Sequence, residues 1–419
     1  MTLSRRDFLA SSTLAAGATL AGSPAAAAPV MVAQAGPTSR GFDPADPSLK
    51  YDLVIANADV LDPASRLRGK RDLGIKNGQI AVLSSTPIPA ERATQRYDAG
   101  GRLTTPGLVD LHTHYGPLIS GIGLPSDELA AITATTTGVS AGDAGANTYG
   151  ALKHWVIGQA RTRLYAFVHI SSIGLAGGPA PGEMLNIDYA DVERCAKTLA
   201  ENADTALGVK VRITDNVVGN NGVEPLRRAR RAAEMAGKDF RVMCHIGAAP
   251  GNLADVLDLL RPGDILTQSY SGAGNNIVQN DQLIPAAKAA KQRGVIFDVG
   301  HGGGSFDFTV CEPAMMQGCH VDTISSDIHA VSINTPGYPT LPWVMSKTWP
   351  WDSRSRRSCS ARRSSRRRSS ATCPASAPSR SALRPTSRCS TTSTGPRWNS
   401  STRATTARAA QRSSSRSSP

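Results

Sequence analysis

"TPGLVDLHTH" runs from Thr105 to His114. The part from Gly107 onward is β-rich and reads as a strand that ends in two histidines. His112 and His114 are two residues apart, so on a strand both imidazoles point to the same side. Two imidazoles converging there supply half of a metal site. A lone His-x-His pair is a weak signal, and the rest of the chain decides its meaning.

Seven further runs of the same kind follow it: "ATTTGVSAGD" (134–143), "RLYAFVHIS" (163–171), "ALGVKVRIT" (206–214), "RVMCHIG" (241–247), "DILTQSYSG" (264–272), "GVIFDVGHG" (294–302) and "VDTISSDIH" (321–329). Between them lie Ala-, Lys- and Arg-rich helical stretches such as "DVERCAKTLAENA" (191–203) and "LIPAAKAAKQRG" (283–294). Eight β–α units in one chain predict an α/β fold, a closed parallel (β/α)8 barrel of the TIM type, over residues 106–349. Residues 50–105 read differently. They suggest short antiparallel strands with an Asn77–Gly78 turn, the N-terminal part of a small β-sandwich domain that is incomplete in this chain.

In such barrels the reactive side chains stand at the C-terminal ends of the strands. Besides His112 and His114, those ends carry His245 on the fifth run and Asp327 on the eighth. Lys210 lies inside "GVKVRI" on the fourth, an apolar setting that lowers a lysine pKa. A neutral lysine amine reacts with carbon dioxide to give a carbamate, an anionic ligand able to bridge two metals. A salt-bridged or snorkelling lysine is the plain alternative, but four strand ends with matching donors favour the metal site.

The formal charge of +13 is unevenly placed. Of 46 basic residues, 16 arginines lie in 350–419 against one acid, Asp352, so residues 1–349 hold 30 bases and 32 acids. The tail 350–419 has a single Leu, Leu383, and no Val, Ile, Met, Phe or Tyr. It cannot bury enough apolar surface to offset its ordering entropy, so it is expected to be disordered. An Arg/Ser tail of this kind suits RNA or phosphorylation. The alternative preferred here is a change of reading frame near Trp349–Pro350, because GC-rich codons read two bases later give a helix-like and a strand-like text. On that reading the basic charge has no functional meaning and no nucleic-acid partner is expected.

At the other end, "SRRDFLA" (4–10) precedes an Ala-rich apolar run and "SPAAAAPV" (23–30). Paired arginines, a short apolar core and small residues predict a twin-arginine signal over 1–30, with export to the periplasm or medium. The run is too short and Ala-rich for a good membrane span, so no stable membrane anchor is expected. Cys195, Cys244, Cys311 and Cys319 show no paired metal or redox spacing and are read as buried packing residues.

"TPGLVDLHTH", "GVKVR", "CHIG", "FDVGHGGGSFDF" and "TISSDIHA" together resemble the amidohydrolase superfamily, and within it the deacetylase-type metallohydrolases related to dihydroorotase and adenine deaminase. The resemblance spans about residues 50–348. It implies two zinc ions per chain. His112 and His114 would bind one, a carboxylated Lys210 would bridge, and His245 would bind the second. Asp327 would bind the first metal and act as general base. The family has a histidine at the end of strand six, where this chain has Gln268, a weaker ligand, so the second site is in question. His301, in "GHGGGSF", and Asn275 and Asn276 are expected to line the substrate pocket. The glycines beside His301 are read as a close backbone approach to substrate. The expected activity is hydrolysis of an N-acyl, cyclic amide or ester bond in a small molecule, by a chain that could form homo-oligomers. The alternative is a catalytically impaired barrel kept as a binding protein, with Gln268 as its mark, or a non-functional frameshift product.

Overall fold

A computed structural model describes residues 46, 48–176, 183–237, 240–335 and 339–348. The expected signal segment 1–30, the tail 350–419 and the proposed change of frame lie outside the described residues.

The N-terminal sheet contains β1 (Tyr51–Asp62), β2 (Leu67–Lys76), β3 (Gln79–Ser84), β4 (Ala93–Asp98) and β5 (Leu103–Thr104), ordered β3-β2-β1-β4 with β5 also on β1. β2 and β3 are joined at Asn77 and Gly78, both at positive φ (52° and 72°), the backbone that a two-residue hairpin turn demands. The expectation of antiparallel strands holds for β1, β2 and β3. It fails for β4 and β5, which run parallel to β1. Their pairing is reached through a long connection, which no local turn signal announces.

The second sheet is all parallel and ordered in sequence: β6 (Leu108–Thr113), β7 (Thr135–Gly145), β8 (Arg163–His169), β9 (Ala206–Ile213), β10 (Arg241–Ile246) and β11 (Ile265–Thr267), then β14 (Ile296–Phe297). A short hairpin, β12 (Val278–Gln279) and β13 (Gln282–Leu283), interrupts it. Seven of the eight expected strands are present. The eighth run, 321–329, is not a regular strand, but its backbone still joins the two edges. Val299 and His301 donate to the carbonyls of Thr323 and Ser325 on one side. On the other, Asp327 donates to the His112 carbonyl and His114 to that of Ile328. The curled sheet with its helices is thus a TIM-like barrel, closed by a segment that side chains hold.

Those side chains explain why no ladder forms there. The Ser326 hydroxyl and amide both donate to the Asp110 carboxylate, and the Ser325 hydroxyl donates to Asp298. Such side-chain bonds compete with strand pairing. Asp327 then takes a left-handed φ of 48°, which ends any extended run.

Alternation places the two cores. The outward residues Val209, Val211 and Ile213 of β9, and Val242, Cys244 and Ile246 of β10, belong to the main apolar cluster. The helix Glu224–Ala236 contributes Leu226, Ala229, Ala232 and Ala233 to that cluster. Inside the barrel Val139, Ala141, Phe167, Met243 and Ile265 form a separate plug, with Ile296 packed against it. Two residues beyond Phe167, Met243, Ile265 and Ile296 come His169, His245, Thr267 and Asp298, on the same strand faces. The inward positions change from apolar to polar at that level. Cys195, Cys244, Cys311 and Cys319 are buried and outside any disulfide, as expected.

Asp110 is the clamp on the closing segment. Asp110→Ala should leave the buried Ser326 amide without its acceptor and destabilise the protein by roughly 2–3 kcal/mol. The check is the shift in denaturant midpoint. An unchanged midpoint would show that the backbone bonds at Asp327 and Ile328 hold the segment without Asp110.

Candidate metal and active site

The polar level of the barrel interior gathers the predicted residues. His112, Lys210 and His245 come from the middle or ends of β6, β9 and β10, Gln268 follows β11, and Asp327 lies in the closing segment. Donor atoms of His112, His245 and Asp327 all lie within 4.8 Å of one another. His112 Nε2 is 3.2 Å and His114 Nε2 3.1 Å from the same Asp327 oxygen, Oδ1.

The ring orientations follow from their outer partners. Thr267 donates its one hydroxyl proton to Asp298 at 2.8 Å. It can therefore only accept from His112 Nδ1, 2.7 Å away. His112 carries its proton on Nδ1 and turns a bare Nε2 inward. His114 Nδ1 is bonded to Asp143 at 3.1 Å, and Asp143 also accepts from the Ser120 and Ser140 hydroxyls. Holding the far nitrogen in this way presents the near one as a ligand.

Lys210 has no exposed surface, and its Nζ lies 2.9 Å from His112 Nε2 and 3.8 Å from Met243 Sδ. Burial lowers its pKa to about 8, with Asp327 opposing and Arg212 assisting. Burial likewise keeps His245 neutral, with Arg212 and Lys210 adding to the effect. His114 goes the other way. Burial disfavours its charge, but Asp143 and Asp327 overcome this and raise its pKa to about 9. Asp327 is held well below the usual carboxylate range against its own burial, by His112 and His114. Positive charge is thus favoured on His114 beside Asp327, while burial keeps His112 neutral with its Nε2 bare.

Two left-handed backbones meet at the site. Gln268 and Asp327 are both left-handed, at φ 61° and 48°, a conformation that non-glycine residues adopt rarely and mostly where function requires it. The turn at Gln268 also ends β11 at Thr267, shorter than its sequence suggests. Gln268 Nε2 donates to Asp327 Oδ2 at 2.6 Å. Gly142, at φ 93°, makes room for the lysine: a Cβ there would stand 2.6 Å from Lys210 Cγ. A Cβ on Gly302 would come 2.7 Å from Asp327 Oδ2, and one on Gly300 2.3 Å from Thr267 Oγ1. The glycines after β14 were expected to approach substrate closely. The approach they permit in the structure is to Asp327 and Thr267.

The three expected pocket residues sit in the loops above. His301 is buried and stacked on Phe306. Its Nδ1 faces the Gly303 amide and its Nε2 lies 2.6 Å from Lys347 Nζ. Asn275 donates to the carbonyls of Ala249 and Gly251, and Asn276 to that of Ala273. Asn275 thus ties two loops together, and Asn276 braces its own. Sequence reasoning passed over Asp143, Thr267 and Asp298, although each is a polar residue at or near a strand end. It also passed over His329, whose ring is 5.9 Å from that of His114.

No family model matches the chain. Curated relatives do. A deacetylase of Agrobacterium fabrum is 34% identical over 272 residues, covering 65% of this chain and 66% of its own length. A deacetylase of Brucella anthropi is 32% identical over 273 residues, covering 65% and 67%. The chain thus spans about two thirds of the length of the curated relatives it matches. A solved dihydroorotase structure is 31% identical, with a TM-score of 0.65 over 72% of this chain and 79% of that one. With this barrel and these strand-end residues, the chain belongs to the amidohydrolase superfamily, among its deacetylase-type hydrolases of carbon–nitrogen bonds.

Proposed function

We propose that the protein is a zinc-dependent deacetylase or cyclic amidase that cleaves an amide, or a related ester, in a small molecule. The observation that carries this reading is the convergence of His112, His245 and Asp327 donor atoms within 4.8 Å at the strand ends, with His112 and Asp327 buried and His245 half-buried. The donor set fits a divalent metal. Two imidazoles have their outer nitrogens engaged and their inner ones turned to a carboxylate that stays ionised, the position of a ligand once the inner proton of His114 gives way to a bound ion. His112, His114 and Asp327 would hold the tighter ion, with Lys210. His245, Lys210 and Gln268 would hold the second. A bound ion supplies Lewis acidity to the scissile carbonyl and makes water acidic enough to attack at neutral pH.

Lys210 enters as a carbamate. Its lowered pKa leaves roughly a tenth of the amine neutral at pH 7. That amine adds to carbon dioxide with loss of one proton; counted from the ammonium, two protons leave and a buried cation is exchanged for an anionic ligand. Asp327 acts as general base. It takes a proton from the attacking water as the C–O bond forms, then gives it to the leaving nitrogen as the C–N bond breaks. Gln268 donates to Asp327 Oδ2 and thereby fixes the rotation of that carboxylate. The same bond occupies the amide nitrogen of Gln268 and leaves its weaker oxygen donor for a metal, which favours unequal loading of the two positions. A barrel impaired at the second metal is the reading this bond supports if one ion does not suffice. The paired arginines at Arg5 and Arg6 support export by the twin-arginine route.

The test of the reading is hydrolysis of N-acetylated small molecules by the full chain. Activity should vanish after dialysis against a chelator and return with zinc. Activity indifferent to the chelator would contradict it. Asp327→Asn should lower turnover at least about a hundredfold with the circular dichroism unchanged. Turnover within a few-fold of the parent would remove Asp327 from proton transfer. Gln268→His should raise zinc retained after mild chelation towards two per chain and speed turnover at low free zinc. If the parent already retains two and the variant is no faster, Gln268 is an adequate ligand.

A further inference from the structure

One imidazole in the loop after β14 faces a donor at each of its nitrogens. His301 is 2% exposed. The Gly303 amide donates to its Nδ1 at 3.1 Å, and Lys347 Nζ, from the helix Leu341–Thr348, lies 2.6 Å from its Nε2. A neutral imidazole has one bare nitrogen and one N–H. A backbone amide nitrogen can only donate, so Nδ1 is the bare one and Nε2 carries the proton. Lys347 therefore meets an N–H, and at 2.6 Å it must supply a lone pair. Only the uncharged amine has one.

The surroundings bear on the same choice. Burial pushes the His301 pKa down to about 4, with Lys347 assisting, and burial also lowers that of Lys347. The Trp343 and Phe306 rings, with centroids 4.2 and 5.2 Å from Nζ, favour an ammonium. That attraction acts from farther away than the conflict between two N–H groups at 2.6 Å, and the closer contact decides.

The bond matters for what His301 holds. His301 and Gly302 donate their amides to the Ser325 and Ser326 carbonyls of the closing segment. Gly302 sits where a Cβ would stand 2.7 Å from Asp327 Oδ2, and its backbone hydrogen-bonds the His329 ring. Because Nδ1 holds the Gly303 amide, the orientation of the His301 ring sets the turn Gly302–Gly303 that packs on Asp327. Lys347 holds that ring from the other side.

We propose that Lys347 is a positioning residue for the reaction: as an uncharged amine it accepts from His301 Nε2, and through His301 it fixes the glycine turn against Asp327. This rests on the proposed hydrolase function, in which Asp327 moves the proton. An arginine at this place would keep the charge and be unable to accept. It would bond the ring only after the ring proton moved to Nδ1, which breaks the Gly303 bond. A methionine would keep an unbranched stem and a weak acceptor.

The experiment sets Lys347→Arg against Lys347→Met in the zinc-loaded full chain, with N-acetylalanine as the probe. In Lys347→Arg kcat should fall at least about tenfold with KM within about twofold, while Lys347→Met should stay within about threefold of the parent. The reverse order, equal loss in both variants or no loss in either overturns the proposal. Nitrogen-15 NMR gives a readout that needs neither substrate nor metal. A proton on His301 Nε2, with Gly302 and Gly303 amide signals that move in Lys347→Arg and stay in Lys347→Met, supports the proposal. A proton on Nδ1, or amide signals that stay in both variants, overturns it. If the parent does not hydrolyse the probe, the hydrolase reading fails on its own, and the NMR result decides the role of Lys347. The tautomer of the parent needs no variant to fold.

Discussion

A lysine amine buried against an imidazole nitrogen is the constraint around which this interior is arranged. Lys210 Nζ has His112 Nε2 at 2.9 Å and Met243 Sδ at 3.8 Å, and neither offers it a counter-charge. Taking an ammonium out of water without a close counter-ion is costly, and burial accordingly lowers the pKa. The fold also makes space for it. Gly142 stands where any Cβ would collide with the lysine stem, and the inward plug of Phe167, Met243 and Ile265 ends one level below. An amine that loses its proton readily, beside the bare Nε2 of His112, is what carbamate formation and a metal would use together.

Around the lysine, the scaffold carries the strain that positions the ligands. Asp298 takes the hydroxyls of Thr267, Thr323 and Ser325, and through Thr267 it sets the proton of His112. Asp143 does the equivalent for His114 with two serines. Two left-handed residues of the site, Gln268 and Asp327, are held against each other by one hydrogen bond. Carboxylates buried one layer out thus orient the inner donors, and the barrel backbone supports the unusual φ values that bring those donors together.

Much of this arrangement is legible in the amino-acid sequence. The two-residue spacing of His112 and His114, and the polar residues at the ends of strand-like runs, follow from the period of a strand and mark the site directly. Seven strands and the Asn77–Gly78 turn are legible for the same local reason. The closing segment is not, because its departure from a strand depends on Asp110 and Asp298, far away in sequence. The parallel pairing of β4 and β5 with β1 is also non-local. Gln268 is visible as a departure from the family pattern, but its bond to Asp327 depends on a backbone turn with no glycine to announce it. His301 and Lys347 come from a loop and a later helix, and only the fold shows that they meet.

The proposed function places a carbamate on Lys210 among the metal ligands. The most direct measurement is carbon-13 NMR of the zinc-loaded protein equilibrated with labelled bicarbonate, with Lys210→Met as the control. A carbamate resonance equal to one carbon per chain, absent from the control, is expected. Zinc bound at the same stoichiometry in both proteins, with no carbamate resonance in either, would contradict it.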